Sequence, residues 1–190
     1  DSRDSLAVIT RTVISEIPFL NVFVDKEKDN LGKFSSSLFT LNTFYTANKR
    51  ILKRGACNEK FGEFLYRFWK LTVKYMTPWN DVKNKELSKK ELREKYIATQ
   101  GVMIQAFGRV GGYLYEHPEF ELEKHLPLIG KINWKRNSEE WKLRVIRDNG
   151  RMINNSGAIL LAANVIKGYL KLPLTDDEMV AEQNFRKNKL

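Results

Sequence analysis

Cysteine is almost missing from this sequence and histidine is nearly as scarce: Cys57, His117 and His125 are all that 190 residues contain. A lone cysteine excludes any disulfide within the chain and favours a reducing, cytoplasmic setting. A structural zinc site needs clustered Cys and His, and with Pro118 between them the two histidines cannot share one helix face. Neither a metal nor any other cofactor is expected. The histidines are read instead as surface or capping residues, and Cys57 as an incidental thiol with no histidine near it in sequence. No apolar run reaches the ~18 residues that a membrane helix requires, because Asn164 and Lys167 interrupt the longest candidate. No signal-peptide pattern is read at the start. The chain begins Asp1-Ser2-Arg3 without an initiator methionine and is expected to be a piece of a longer protein. A phosphate-binding loop with its Lys-Ser/Thr pair is lacking, and Gly108-Arg109-Val110-Gly111-Gly112 has neither the spacing nor the preceding strand of a dinucleotide loop.

What the sequence does have is positive charge. Lys and Arg number 33 against 23 Asp and Glu, for a net charge of +10. Such a field attracts polyanions, among which nucleic acid, anionic membrane and acidic proteins all qualify; a merely soluble basic protein is the plain alternative. Hydrophobic residues make up 42% of the chain, enough for a core that needs no staples at this length.

Helical signals run throughout. Leu6, Ile9, Val13 and Ile17 recur at helical spacing until Pro18, and Val24 to Ser37 reads as a polar loop. A helix from about Thr40 to Arg54 is expected to end on a left-handed Gly55. Asn58 caps the next, which ends before Thr77-Pro78, with Phe61, Phe64, Leu65, Phe68, Leu71, Thr72 and Tyr75 on one face. Ser88 and Glu91 form a capping box for a stretch that runs to His117 or breaks near Gly101. Its four glycines, Gly101, Gly108, Gly111 and Gly112, suggest close approach by another helix. A short helix is expected to stop at Pro127, and another to span Ser138 to Arg147 from a cap at Asn137. Asn149-Gly150 marks a turn, Ala158 to Leu170 a buried helix with Ser156 as its candidate cap, and Thr175 with Glu178 a box opening a final polar helix. No repeat is visible and no segment alternates strongly enough for a sheet. The expected fold is all-α, an irregular multi-helix bundle of about seven to eight helices in one domain over residues 1–190.

Catalytic constellations are not found. Asp176-Asp177-Glu178 is read as acids suiting a helix dipole, and no enzyme is expected. The basic clusters carry more: Lys49, Arg50, Lys53 and Arg54 form an edge of one helix, Lys60, Arg67, Lys70 and Lys74 a stripe on the next. Lys131, Lys135 and Arg136 surround Trp134, which would either stack on a base or anchor its loop. Arg144, Arg147 and Arg151 follow, and Arg151 precedes a helix N-terminus where an anion would be favoured. For each cluster taken alone, a solvated face is the competing reading.

The run Ile132-Asn133-Trp134-Lys135-Arg136-Asn137, then Trp141, Arg144 and Gly150-Arg151, then Asn164-Val165-Ile166-Lys167 and Leu172-Pro173-Leu174-Thr175, resembles the C-terminal half of DndB-type proteins of bacterial DNA sulfur modification systems. Leu38-Phe39-Thr40-Leu41 and Gln105-Ala106-Phe107-Gly108-Arg109-Val110-Gly111 extend the resemblance over nearly the whole chain. Asn133 departs from it, since an acid is expected before that tryptophan, and the family's N-terminal Asp-Gly-Gln-His-Arg domain is not in this sequence. The resemblance implies a DNA-binding transcriptional regulator, usually a repressor, of the genes that replace a non-bridging phosphate oxygen of DNA with sulfur. It implies no sulfur-transfer catalyst. Double-stranded promoter DNA is then the expected partner, with Lys49, Arg50, Lys53, Arg54, Lys135, Arg136, Arg147 and Arg151 as candidate phosphate contacts. The rival reading is a protein-interaction or homo-oligomerisation module, in which Gly108, Gly111 and Gly112 pack an interface and the absent domain touches DNA.

Overall fold

Side-chain caps start several helices of the computed structural model, which describes residues 2–189. After α1 (Ser2–Glu16), Pro18 opens α2 (Pro18–Phe23), where its missing N–H costs nothing. Thr40 accepts a hydrogen bond from the Thr43 amide and starts α3 (Leu41–Leu52). Asn58 does the same for Phe61 at the head of α4 (Glu59–Tyr75), and Ser88 for Glu91 at α6 (Lys89–Lys95). Between them lies α5 (Thr77–Lys83), with a proline in its first turn. Then come α7 (Gly101–Glu116), α8 (Leu122–His125), α9 (Ser156–Tyr169) and α10 (Asp176–Lys189). The only strands among the described residues are β1 (Val24–Asp25) and β2 (Phe39–Thr40), paired in parallel. The fold is all-α, as expected, although ten α-helices are described where seven or eight were anticipated.

The core is built on α7. Eleven of its sixteen residues are buried, with α3 packed along one side and α9 along another. The glycines permit this approach. A Cβ on Gly108 would stand 2.9 Å from the Ala47 carbonyl oxygen of α3, and one on Gly112 would stand 3.2 Å from that of Arg50. Close helix contact was the expected reason for the four glycines, and it is met within one chain at Gly108, Gly111 and Gly112 but not at Gly101, which has nothing within 4 Å. Trp79, stacked on Phe19 at 5.5 Å, and Trp69, against Phe44 and Phe68, fill the space between α2, α3, α4 and α5.

Several local expectations are corrected. The stretch after Ser88 does not run through to His117: α6 ends at Lys95 and α7 begins at Gly101, because Ile97 and Ala98 turn inward and Ile97 pairs with the Trp134 carbonyl. Lys53, and not Gly55, takes the left-handed backbone at the end of α3, with φ 54°. Pro127 opens a 3-10 segment (Leu126–Lys131) and does not stop the chain's winding. Ser138 to Arg147 is no helix beyond a single 3-10 turn (Glu139–Trp141). Leu143 adopts φ 63° there, and the chain folds back through bridges of Ile146 to Lys142 and Met152, which buries Trp141, Val145 and Ile146. Asn155 caps α9, accepting from the Ala158 amide at 2.8 Å, and Ser156 is its first helical residue.

Candidate nucleic-acid interface

The eight candidate phosphate contacts fall into three groups. No hydrogen bond or ion pair among the described residues joins one group to another. The first lies at the C-terminal end of α3. Lys49 and Arg54 are exposed, whereas Arg50 donates to the Gln105 side chain at 2.8 Å and Lys53 pairs with Glu116 at 2.9 Å. Half of that basic edge is therefore already engaged with α7.

The second group is a bracket between α6 and the 133–136 segment. Arg136 donates from its amide to the Lys95 carbonyl and from its guanidinium to the carbonyls of Tyr96 and Arg93. It is a structural clamp. Lys135, bridged to Tyr96 in antiparallel fashion, keeps its side chain exposed beside Lys95. Trp134 is unavailable to a base: it is 2% exposed, stacked on Trp141 at 5.6 Å and close to Phe107. Of the two roles weighed for it, loop anchor is the correct one. Asn133, where an acid was expected, accepts from the Lys135 amide and takes the Trp141 indole N–H on its carbonyl.

The third group is the turn between Arg147 and Arg151. Their backbones pair at 2.8 Å, Gly150 supplies φ 82°, and both side chains are exposed with Asp148 between them. Arg144, three residues earlier, points the other way and is buried on Glu182.

Sequence reasoning missed a fourth basic feature. The loop before β2 lies against α6, where Arg93 donates to the carbonyls of Lys33, Ser35 and Ser37 and Lys89 to that of Ser36. This pinned loop presents Phe34, 90% exposed, the most exposed large apolar side chain among the described residues. Lys33 Nζ stands 5.8 Å from the ring centroid. An open groove of about 370 Å³ runs beside the ring, edged by Lys89, Lys90, Arg93 and Glu94. Through Arg93 and Arg136 the loop is linked to the Lys95–Lys135 bracket, so these cations share one neighbourhood. The signal was Phe34 itself, an aromatic isolated in a polar stretch and preceded by a lysine.

The most perturbed ionisable groups lie elsewhere, under α10. Glu178 accepts from Lys167 at 2.6 Å, from Arg109 at 2.7 Å and from the Thr175 amide at 2.9 Å, and these contacts hold its carboxyl below the usual range against the effect of burial. Burial pushes the Lys167 ammonium down, opposed by Glu178, and its Nζ stands 4.0 Å from the Tyr113 ring centroid. Glu182 takes a two-pronged contact from Arg144 at 2.6 and 2.8 Å, with Arg186 and Asn164 beside it, and its pKa falls to about 2. Tyr169 donates to Glu140 at 2.6 Å, which raises its hydroxyl to about 12. Each charge here is satisfied internally, so the arrangement fastens helices together. Of the expected box, Glu178 supplies its half by accepting from the Thr175 amide, while the Thr175 hydroxyl donates to Asp177 instead; Glu178 is a buried anchor and not simply a dipole acid.

The remaining chemistry-bearing residues are placed structurally. His125 donates to the Leu170 carbonyl at 2.7 Å at the end of α9, and His117 stacks on Tyr113 and meets Glu119. Both are surface or capping residues. Burial raises the Cys57 thiol, which opposes thiolate formation. No helix among the described residues is long and apolar enough to cross a membrane.

Comparison with known proteins returns one family. No curated protein and no solved structure matches the chain significantly. The family model described as DndB, DNA-sulfur modification-associated, matches residues 1–173. That span takes in α1 through α9, including the Phe34 loop, the bracket and the Arg147 turn. The chain therefore belongs to the DndB family, associated with DNA sulfur modification.

Proposed function

We propose that this chain binds double-stranded DNA as part of a cytoplasmic transcriptional regulator, a repressor, of a DNA phosphorothioation gene cluster, and that it does not catalyse sulfur transfer. The observation that carries this reading is the surplus of exposed cations with no ion pair among the described residues, Lys33, Lys90, Lys95, Lys135, Arg147 and Arg151 among them, on a member of a family tied to DNA modification. Cations placed this way neutralise phosphates and release their counterions. The absence of a catalytic role is supported by the titratable groups under α10, which are paired with one another.

The rival module for self-association drew on Gly108, Gly111 and Gly112. Gly108 and Gly112 face α3 of the same chain, and a Cβ on Gly111 would meet Ile51 and Phe68, so these glycines no longer favour it. The test is an electrophoretic shift assay on cluster promoter DNA across a salt series, with light scattering beside it. The expected plot of log K against log salt falls with a slope of about −0.9 for each phosphate neutralised. Absence of DNA binding at low salt from a chain that dimerises would overturn the reading in favour of the rival.

A further inference from the structure

We infer that Phe34 is a base-stacking residue, which takes an unstacked DNA base on its ring while Lys33 and Lys90 hold the flanking phosphates. The inference rests on the DNA-binding reading above and goes further by naming what is contacted. The Phe34 ring is 90% exposed to water, and it is not here through looseness of the loop. Arg93 bonds three of the loop's carbonyls and Lys89 a fourth, so the ring is held out on a fixed base. Preorganisation of this kind reduces what binding must later spend on ordering.

The division of labour among the cations is specific. Lys89 and Arg93 are occupied with the backbone, whereas Lys33 and Lys90 edge the same groove with ammonium groups that make no hydrogen bond or ion pair among the described residues. Glu94 is the single acid on that rim. An aromatic face with free cations around it matches a nucleotide, since every base has a π-face and its phosphates lie to either side. Duplex DNA offers such a face where a base is unpaired or a step is wedged open.

The test uses the 190-residue chain and two fluorescein-labelled duplexes, one fully paired and one with a single unpaired base, read by fluorescence anisotropy. The unmodified protein should prefer the second duplex. F34A should weaken that complex on the order of tenfold, the loss expected from removing one base–aromatic stack, and should affect the paired duplex much less. K33A/K90A should weaken both and reduce the salt slope by roughly 1.8. F34W supplies an independent signal. Trp69, Trp79, Trp134 and Trp141 are all at most 2% exposed, so emission accessible to iodide comes from position 34 and should be quenched by DNA. If the chain binds DNA and F34A changes neither complex, or changes both equally, this inference fails while the DNA-binding reading stands. If the chain binds neither duplex, both fail. A polyglutamate peptide that binds as tightly, with the same loss in F34A, would make the patch a docking surface for acidic protein and overturn base stacking.

Discussion

Lys167 and Glu178 meet 2.6 Å apart with both side chains only 1% exposed, one from an otherwise apolar helix and the other from a polar one. Removing one member of a buried pair strands the other, at a cost of about 3–5 kcal/mol, whereas replacing both with apolar groups can be nearly neutral. Glu178→Gln should therefore lower the stability from urea unfolding by several kcal/mol. Lys167→Met with Glu178→Leu should lose less than the two single changes summed. Arg109 is one-third exposed and keeps Asp177 as a partner in that variant.

Acid should loosen α10 before it unfolds the core. The folded-state pKa of Glu182 lies at about 2 against 4.5 for a free glutamate, chiefly through the Arg144 contact. A depressed folded pKa means stability that is fully present above the unfolded value and is lost as pH falls toward the folded one. Stability measured by denaturant should thus decline between pH 4.5 and about 2. Glu182→Gln should start lower and show a shallower decline over that window. An identical slope in the variant would show that Glu182 does not supply the linkage.

Two glycines of α7 should respond in opposite ways to alanine. At Gly108 the added carbon would stand 2.9 Å from a backbone oxygen, so α3 must move outward. The expected loss is about 1–3 kcal/mol, larger than the gain in helix propensity. At Gly101 nothing lies within 4 Å, and alanine should be neutral or stabilising by about 0.4–1 kcal/mol. Thermal unfolding of the two variants separates them.

The predicted phosphate contacts should divide between function and folding. Arg147→Ala and Arg151→Ala, both on an exposed turn, should change stability by no more than about 0.5 kcal/mol, and each phosphate contact they make should contribute about 0.9 to the salt slope. Arg136→Ala removes bonds to the carbonyls of Arg93 and Tyr96 and should lower the unfolding midpoint whatever it does to DNA. Hydrogen exchange would place that loosening around residues 93–96.

How far the sequence could be read depended on whether a feature was local. Asn58, Ser88 and the Asn149-Gly150 turn act on neighbours two or three residues away, and each was legible. The glycines of α7 were legible as a request for close contact, although only the structure shows that Ala47 and Arg50 answer it. The segment after Asn137 misled because a capping signal there meets side chains with stronger tertiary demands: Trp141 and Val145 must be buried and Arg144 must reach Glu182. Glu178 was read only as a box partner and dipole acid, and Glu182 went unread within a polar helix, since nothing in α10 says what lies beneath it. The hint sat in α9, where Asn164 and Lys167 in an apolar helix needed polar company. On the surface, counting cations could not tell Lys135, whose ammonium is exposed with no partner among the described residues, from Arg136, whose guanidinium is bonded to carbonyls.

The family match stops at Pro173, just short of α10. The buried residues of that helix are two glutamates, so trimming the chain to the matched boundary would remove hardly any core while leaving Arg109, Arg144 and Lys167 with no counter-charge. A shortened version would carry an uncovered cationic floor, prone to trap whatever anions the solution offers, and nucleic-acid retention by such a truncate would say little about the 190-residue chain.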